Sequence, residues 1–227
     1  MPPAQQSAAT MLQQQISAYF ADTKDVLSAA AEKLSAELSN GAFCEEDEFV
    51  AYVAELSLAI RGQARTDVFG AGFIAKHLPG LPVAEVFCWW QGKGFERLQF
   101  ALDAANKNRI DYSTLEWYRV PAESGSTHVC GPFVDFLCND EYTVTISAPV
   151  WLNGEFVGVV AADLLMETIE RDLMPVLQRF GGHSVVVNSR GRIVLSHGSD
   201  HETGDVYPVP KAGAEGGVIV AQAASGA

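Results

Sequence analysis

Asp163 ends the apolar stretch EFVGVVAAD, residues 155–163. A carboxylate among such neighbours is costly unless a positive charge or hydrogen-bond donors meet it. Just before that stretch, Asn153-Gly154 is a two-residue hairpin signal, because both residues tolerate the positive φ of a type I′ turn. Strict pairing outward from this turn sets Val150 opposite Val157, Ile146 opposite Ala161 and Val144 opposite Asp163. Alternation then places Tyr142, Val144, Ile146, Val150, Val157, Val159 and Asp163 on one face. That face is apolar except at one end, where a phenol and an acid stand together. Either a basic side chain of the protein or a bound cationic ligand is expected there. Trp117, Tyr118, Trp89 and Trp90 either pack the core, the usual fate of large aromatics, or line a pocket. Aromatic faces beside a carboxylate form a cage for ammonium groups through cation–π attraction. Asp135 either shapes its own loop, caps a neighbour or touches the ligand.

Other chemistry finds less support. His128, Cys130 and Cys138 match no closed zinc spacing and lack a fourth ligand. Buried thiols are the simpler reading, and neither metal nor cofactor is expected. No nucleophile elbow or paired glutamates occur, so no enzyme is expected. Gly70-Ala71-Gly72 is an isolated GxG, read as a turn with close backbone packing rather than a phosphate loop.

Composition narrows the class further. The 227 residues carry 15 Lys plus Arg against 28 Asp plus Glu, a net charge of −13. Such a surface repels phosphate backbones and anionic lipid, so nucleic-acid binding is not expected, and it mildly favours cationic ligands. Four cysteines without CxxC spacing, and no basic residue before Lys24, suggest a reduced, cytoplasmic protein. The longest apolar run, Phe156 to Met166, is interrupted by Asp163 and falls short of the roughly 20 residues a membrane helix needs.

The elements that position these residues follow from periodicity. Met11–Leu38 repeats apolar residues at three and four residue spacing, a helix about 40 Å long at ~1.5 Å per residue. Its stripe needs a sheet or a partner chain to cover it, so a homodimer through this helix is one option. Glu45–Arg61 is a second helix with Asp47 as candidate cap. Val83–Gln91 is a strand that splits Trp89 and Trp90 between opposite faces, and Phe95–Leu102 is its hairpin partner. Asp111 or Ser113 caps a short helical turn carrying Trp117 and Tyr118. Pro121–Thr127 is a loop, and the stretch from Cys130 to the strand before Asn153 also starts as loop. Met166–Phe180 is a helix that Pro175 should kink or end. Ser184–Asn188 and Arg192–Ser196 form a last hairpin, with a possible edge strand near Gly217–Ala221. Successive antiparallel strands with helices at the ends mean α+β. The expected domains are a helix over 1–40 and a single ligand-binding domain over 41–227 against which that helix packs.

Several stretches together resemble the Cache sensor domain, a relative of the PAS fold. They are TLEWYRVP, CGPFVDF, EYTVTISAPVWLNGEFVGVVAADL and VVVNSRGRIVLS, in that order. The resemblance covers about residues 68–207 and implies an antiparallel sheet with a long N-terminal helix packed on it. It also implies a non-catalytic sensor whose pocket takes a small amine, amino acid or organic acid. Asp163 falls at the position that holds the ligand amino group in amino-acid binders, and Trp117-Tyr118 match the family's aromatic pair. Phe133 stands where a tyrosine is usual, and Leu115 where amino-acid binders carry an arginine for the ligand carboxylate. Without that arginine an amine is a better fit than a carboxylic acid. Closure of loop 119–141 over the ligand would be the signal, passed through the long helix. The other reading is an interaction module that dimerises through the helix and has a vestigial pocket.

Overall fold

The computed structural model describes residues 3–80, 86–98, 111–135, 141–180, 184–188, 190–198, 200–207 and 219–222. Helix α1 (Pro3–Ser39) starts before the periodic stretch and holds 37 residues. Leu12, Ile16, Phe20, Leu27, Ala30 and Leu34 of its stripe are all buried within the single chain. Gly41, at φ 67, provides the left-handed residue that stops it. Helix α2 (Glu46–Gln63) is capped by Glu45 without a side-chain bond. Asp47 is not the cap. It lies in the first turn with Glu46 and Glu48, where carboxylates meet the positive end of the helix dipole.

The strands are β1 (Gly70–Ala75), β2 (Val86–Gln91), β3 (Glu96–Arg97), β4 (His128–Val134), β5 (Tyr142–Leu152) and β6 (Glu155–Leu165). They form one sheet in the order β3-β2-β1-β6-β5-β4. Helix α3 (Glu116–Ser124) precedes β4, and α4 (Met166–Phe180) follows β6. A second sheet orders β8 (Ile193–His197), β7 (Ser184–Val187) and β9 (Ile219–Gln222) with β7 in the middle. Asn153 and Gly154 take φ 53 and 85, as the type I′ turn requires. The architecture is α+β with a long N-terminal helix and an antiparallel sheet, as the sequence predicts.

Three expected loops are regular structure. The segment read as a glycine turn is β1, central in the sheet and buried along its whole length. A Cβ on Gly72 would penetrate the Cys88 carbonyl oxygen, so the approach of β2 demands glycine where strand composition would predict something bulkier. The start of the Cys130 segment is not loop but part of β4. The loop over 121–127 is largely the end of α3, which runs through Pro121. A proline there lacks the N–H that would reach the Trp117 carbonyl. The Ser147 hydroxyl donates to that carbonyl instead, at 2.6 Å, so the helix continues without an orphaned acceptor.

Helix α4 likewise continues through Pro175 as one element. Residues 99–110, which hold the second half of the expected Phe95–Leu102 strand, and Cys138 lie outside the described residues.

The chain divides into two compact units. One comprises Met1–Ala21, Val129–Val144 and Leu164–Ala227, with a small core of Val185, Val187 and Ile193 against Tyr207. The other comprises Asp22–His128 and Thr145–Asp163 and contains β1, β2 and most of β6.

Candidate functional site

Register across three strands of the second unit fixes the face on which Asp163 stands. Gly70 pairs with Asp163 on one side and with Gln91 on the other. Two residues along, Gly72 pairs with Ala161 and with Trp89. Directly paired residues share a face, so Asp163, Gly70, Gln91, Ala161, Gly72 and Trp89 form one tile of it. The two glycines leave the middle strand without side chains there. The Trp89 indole fills part of that space, its Nε1 only 2.8 Å from where a Gly70 Cβ would sit. Gln91 Oε1 accepts from Trp89 Nε1 at 3.1 Å and fixes the ring.

Asp163 is 2% exposed. Thr145 Oγ1 donates to its Oδ1 at 2.6 Å. This bond corrects the face predicted from the turn, because strict pairing sets Val144, not Thr145, opposite Asp163. Between the turn and Thr145 the alternation slips by one residue. Pro149 lies in that interval, and a proline inside a sheet is confined to edges and bulges because it cannot donate to the ladder. The consecutive residues Ala148 and Pro149 both line one surface groove, as a break in alternation allows. Asp163 therefore belongs with the hydroxyl-bearing side of β5, Thr145 and Ser147, and not with Val144 and Ile146.

Ser147 connects this face to α3 through the Trp117 carbonyl. Its hydroxyl stands two residues, ~7 Å along the strand, from that of Thr145. Trp117 stacks on Tyr112 at 6.2 Å between centroids, and Tyr118 meets both rings edge-on. The cluster is tied to the far end of β1. Tyr112 donates from its hydroxyl to the Ala75 carbonyl at 3.0 Å, and the Lys76 amide donates to the Tyr118 hydroxyl at 3.3 Å. Burial raises the Tyr118 phenol above its ordinary pKa, against the lowering effect of the Lys76 amide and charge. Asp111, expected as a cap, accepts from the Ser113 amide at 3.1 Å and starts the 3₁₀ turn Tyr112–Thr114.

Trp90 is not part of this face. It pairs with Ala71, which pairs with Ala162, all on the opposite side. That side also carries Phe73, which α2 covers through the Phe49 ring at 5.7 Å. Trp90 is thus a core residue with Arg97 5.9 Å above its ring. Tyr142, Phe133 and Asp135 fall in the other unit. The Tyr142 hydroxyl lies 2.3 Å from where a Gly204 Cβ would stand, so it packs tightly on that glycine. Its phenol is pushed up by burial, eased by Arg192 and raised further by Asp205 and Glu170. Phe133 is half-buried in β4, and Asp135 is buried just after it, its amide donating to the Glu141 carbonyl at 2.9 Å. His128 faces Glu116, Nε2 to Oε1 at 3.0 Å.

Of the residues singled out in the sequence, the structure sets Asp163 and Trp89 on one sheet face and Trp117 and Tyr118 in α3, which Ser147 links to β5. Thr145, Ser147, Gly70 and Gln91, which surround them, are not among those singled out. The Thr-x-Thr-x-Ser alternation of 143–147 was the available signal for the hydroxyls.

The chain is similar to known proteins in sequence and in fold. Residues 63–171 fit the family described as methyl-accepting chemotaxis protein-like, first PDC sensor domain. The segment thus has the PAS-like fold of the Cache, or PDC, class of sensor domains, the resemblance read from the sequence. The methyl-accepting chemotaxis protein McpA of Pseudomonas putida is 30% identical over 99 residues. That match takes in 40% of this chain, and the chain spans 15% of the length of that curated relative. The sensory domain of the Campylobacter jejuni chemoreceptor Tlp3 with isoleucine bound superposes with a TM-score of 0.58 at 14% identity, covering 85% of this chain and 69% of that one. The ligand-binding domain of the Pseudomonas aeruginosa amino acid chemoreceptor PctC in complex with GABA gives 0.54 at 19% identity, covering 83% and 73%.

The match overturns the cytoplasmic expectation. Chemoreceptor PDC sensor domains are extracellular or periplasmic. The physical error lay in reading compartment from cysteine density. Cys44 is exposed while Cys88 and Cys130 are buried as free thiols, and scattered thiols of this kind are neutral on redox environment. No helix among the described residues is long and apolar enough to cross a membrane.

Proposed function

We propose that the chain is a sensor module that captures a small amine or amino-acid-like cation against Asp163. The observation that carries this reading is a carboxylate 2% exposed, oriented by a threonine hydroxyl, on a sheet face cleared by two glycines. A carboxylate in such a place favours an ammonium partner over an anion. Trp89 supplies an indole at the same level and the α3 cluster supplies aromatic cover. The isoleucine of Tlp3 and the GABA of PctC both carry an amino group. Leu115, at the start of α3, offers no charge to a carboxylate, which inclines the choice towards amines.

Most of the segment 119–141 is α3 and β4 rather than free loop, so the moving part would be α3 itself. Thr127, just beyond α3, is bonded to Ser28 of α1 through their hydroxyls at 2.6 Å. Displacement of α3 by ligand would be felt by α1 along that link. Ligand can bias the two positions only by its differential affinity for them.

A thermal-shift and calorimetric screen of primary amines and amino acids tests the reading. A ligand at 100 times its dissociation constant should stabilise the protein by about 2.7 kcal/mol. The same ligand should give no shift with Asp163→Asn. Equal shifts in both proteins, or none with any amine, would sink it.

A further inference from the structure

A groove of about 530 Å³ opens beside Trp151 in the second unit and shares no residue with the Asp163 face. Ser28, Glu32 and Ser35 of α1 form one wall, at three and four residue spacing on one side of the helix. Trp151 of β5 forms the other, and buried Ala31 and Ala148 make the floor. The volume falls within the roughly 300–1,000 Å³ of small-molecule sites.

Most of the hydroxyls in the groove are already engaged. Ser28 bonds Thr127 at 2.6 Å, and Ser35 accepts from the Trp151 amide at 3.1 Å while donating to the Ala31 carbonyl at 2.8 Å. Two strong polar groups are left to a ligand. They are the exposed carboxylate of Glu32 and the half-buried indole of Trp151, neither of which has a side-chain hydrogen bond among the described residues. No lysine or arginine lines the groove. The groove thus carries a single formal charge, and it is negative. An anion would meet repulsion there, reinforced by a chain of net charge −13. An indole is also the strongest of the aromatic faces for a cation.

We propose that this groove is a second ligand site, for a small organic ammonium ion seated between the Glu32 carboxylate and the Trp151 ring. The residues facing the α1 wall are tied to that helix: Trp151 through Ser35, and the 125–127 turn, which also lines the groove, through Ser28. Occupancy would therefore brace α1 against β5.

The test titrates the whole chain with tetramethylammonium chloride, reading tryptophan fluorescence, with sodium chloride as ionic-strength control. A saturable change should appear in the native protein and persist in Asp163→Asn. Trp151→Leu should abolish it. Glu32→Lys should weaken it by at least roughly tenfold, the scale of a lost charge contact beside a cation–π site. Glu32 is exposed, so its variant decides the matter even if Trp151→Leu fails to fold. A response no different from sodium chloride overturns the proposal. So does a saturable one that ignores Glu32→Lys, or one lost in Asp163→Asn while surviving Glu32→Lys.

Discussion

The two ends of β1 are built on opposite principles. At Gly70 the strand has no side chain, and the space above it is shared by an indole and a buried acid held by a neutral hydroxyl. At Ala75 and Lys76 the backbone is gripped by two phenols, and the nearby acid, Asp111, is exposed and paired with the Lys76 ammonium at 2.6 Å. One end leaves a carboxylate where charge is expensive. The other leaves its carboxylate in water, where an ion pair contributes little. A site for a charged guest and a clasp for the cover above it call for these different solutions.

The sharpest way to break the first end is through its glycines. Gly72→Ala would drive a Cβ into the Cys88 backbone carbonyl, which cannot swing away as a side chain can. A loss of ~3 kcal/mol or more in urea unfolding is expected. Gly70→Ala would meet the Trp89 ring and the Gln91 side chain rather than backbone. It should cost less stability than Gly72→Ala and mainly disturb amine binding. Equal stability losses in the two variants would contradict the distinction between backbone and side-chain contact.

Asp163→Asn comes next in size. Calorimetry should find amine affinity reduced by ~2–4 kcal/mol, the cost of removing one partner of a desolvated charge pair. The melting temperature of the free protein, read on the same variant, separates loss of binding from loss of folding. A fall in melting temperature with affinity intact would make Asp163 a structural residue.

These effects were unequally legible in the chain. The hairpin around Asn153-Gly154 and the long helix were readable because turn chemistry and helical spacing are local. Asp163 was readable because an acid breaks an apolar run. The face it occupies was not, since Thr145 rather than Val144 meets Asp163, a break in strict alternation between the turn and Thr145 that no local pattern announces. β1 was unreadable as a strand for a related reason. Gly-Ala-Gly has poor strand composition, and the close approach of Cys88 that demands glycine is a tertiary fact. Trp89 and Trp90 could be separated onto two faces by alternation, but which face belonged to Asp163 depended on register with a strand that composition concealed.

At the clasp end, Tyr112→Phe should remove the donor to the Ala75 carbonyl and leave a buried acceptor unmet. About 1–2 kcal/mol of stability should go. Amine affinity should change less than in Asp163→Asn if the phenol only positions the cover. Urea unfolding and calorimetry on the same variant separate the two roles, and a binding loss as large as that of Asp163→Asn would merge the two ends into one site.

The smallest effect is a pH dependence, and its sign is fixed by Asp111. Hydrogen bonds from Lys76 and then Ser113 hold its carboxyl down at about 2. The ordinary value is ~3.9, so the unfolded chain takes up this proton first as pH falls. The stabilisation is thus complete above about pH 4 and is lost on acidification towards pH 2. Lys76→Met removes the leading cause. The melting-temperature gap between native and variant proteins should therefore be present at pH 5 and shrink by pH 2. Both partners are solvent-exposed, so added salt should narrow the gap at pH 5 as well. A gap that ignores both pH and salt would mean the ammonium contributes nothing, leaving the phenols alone to hold α3 on the sheet.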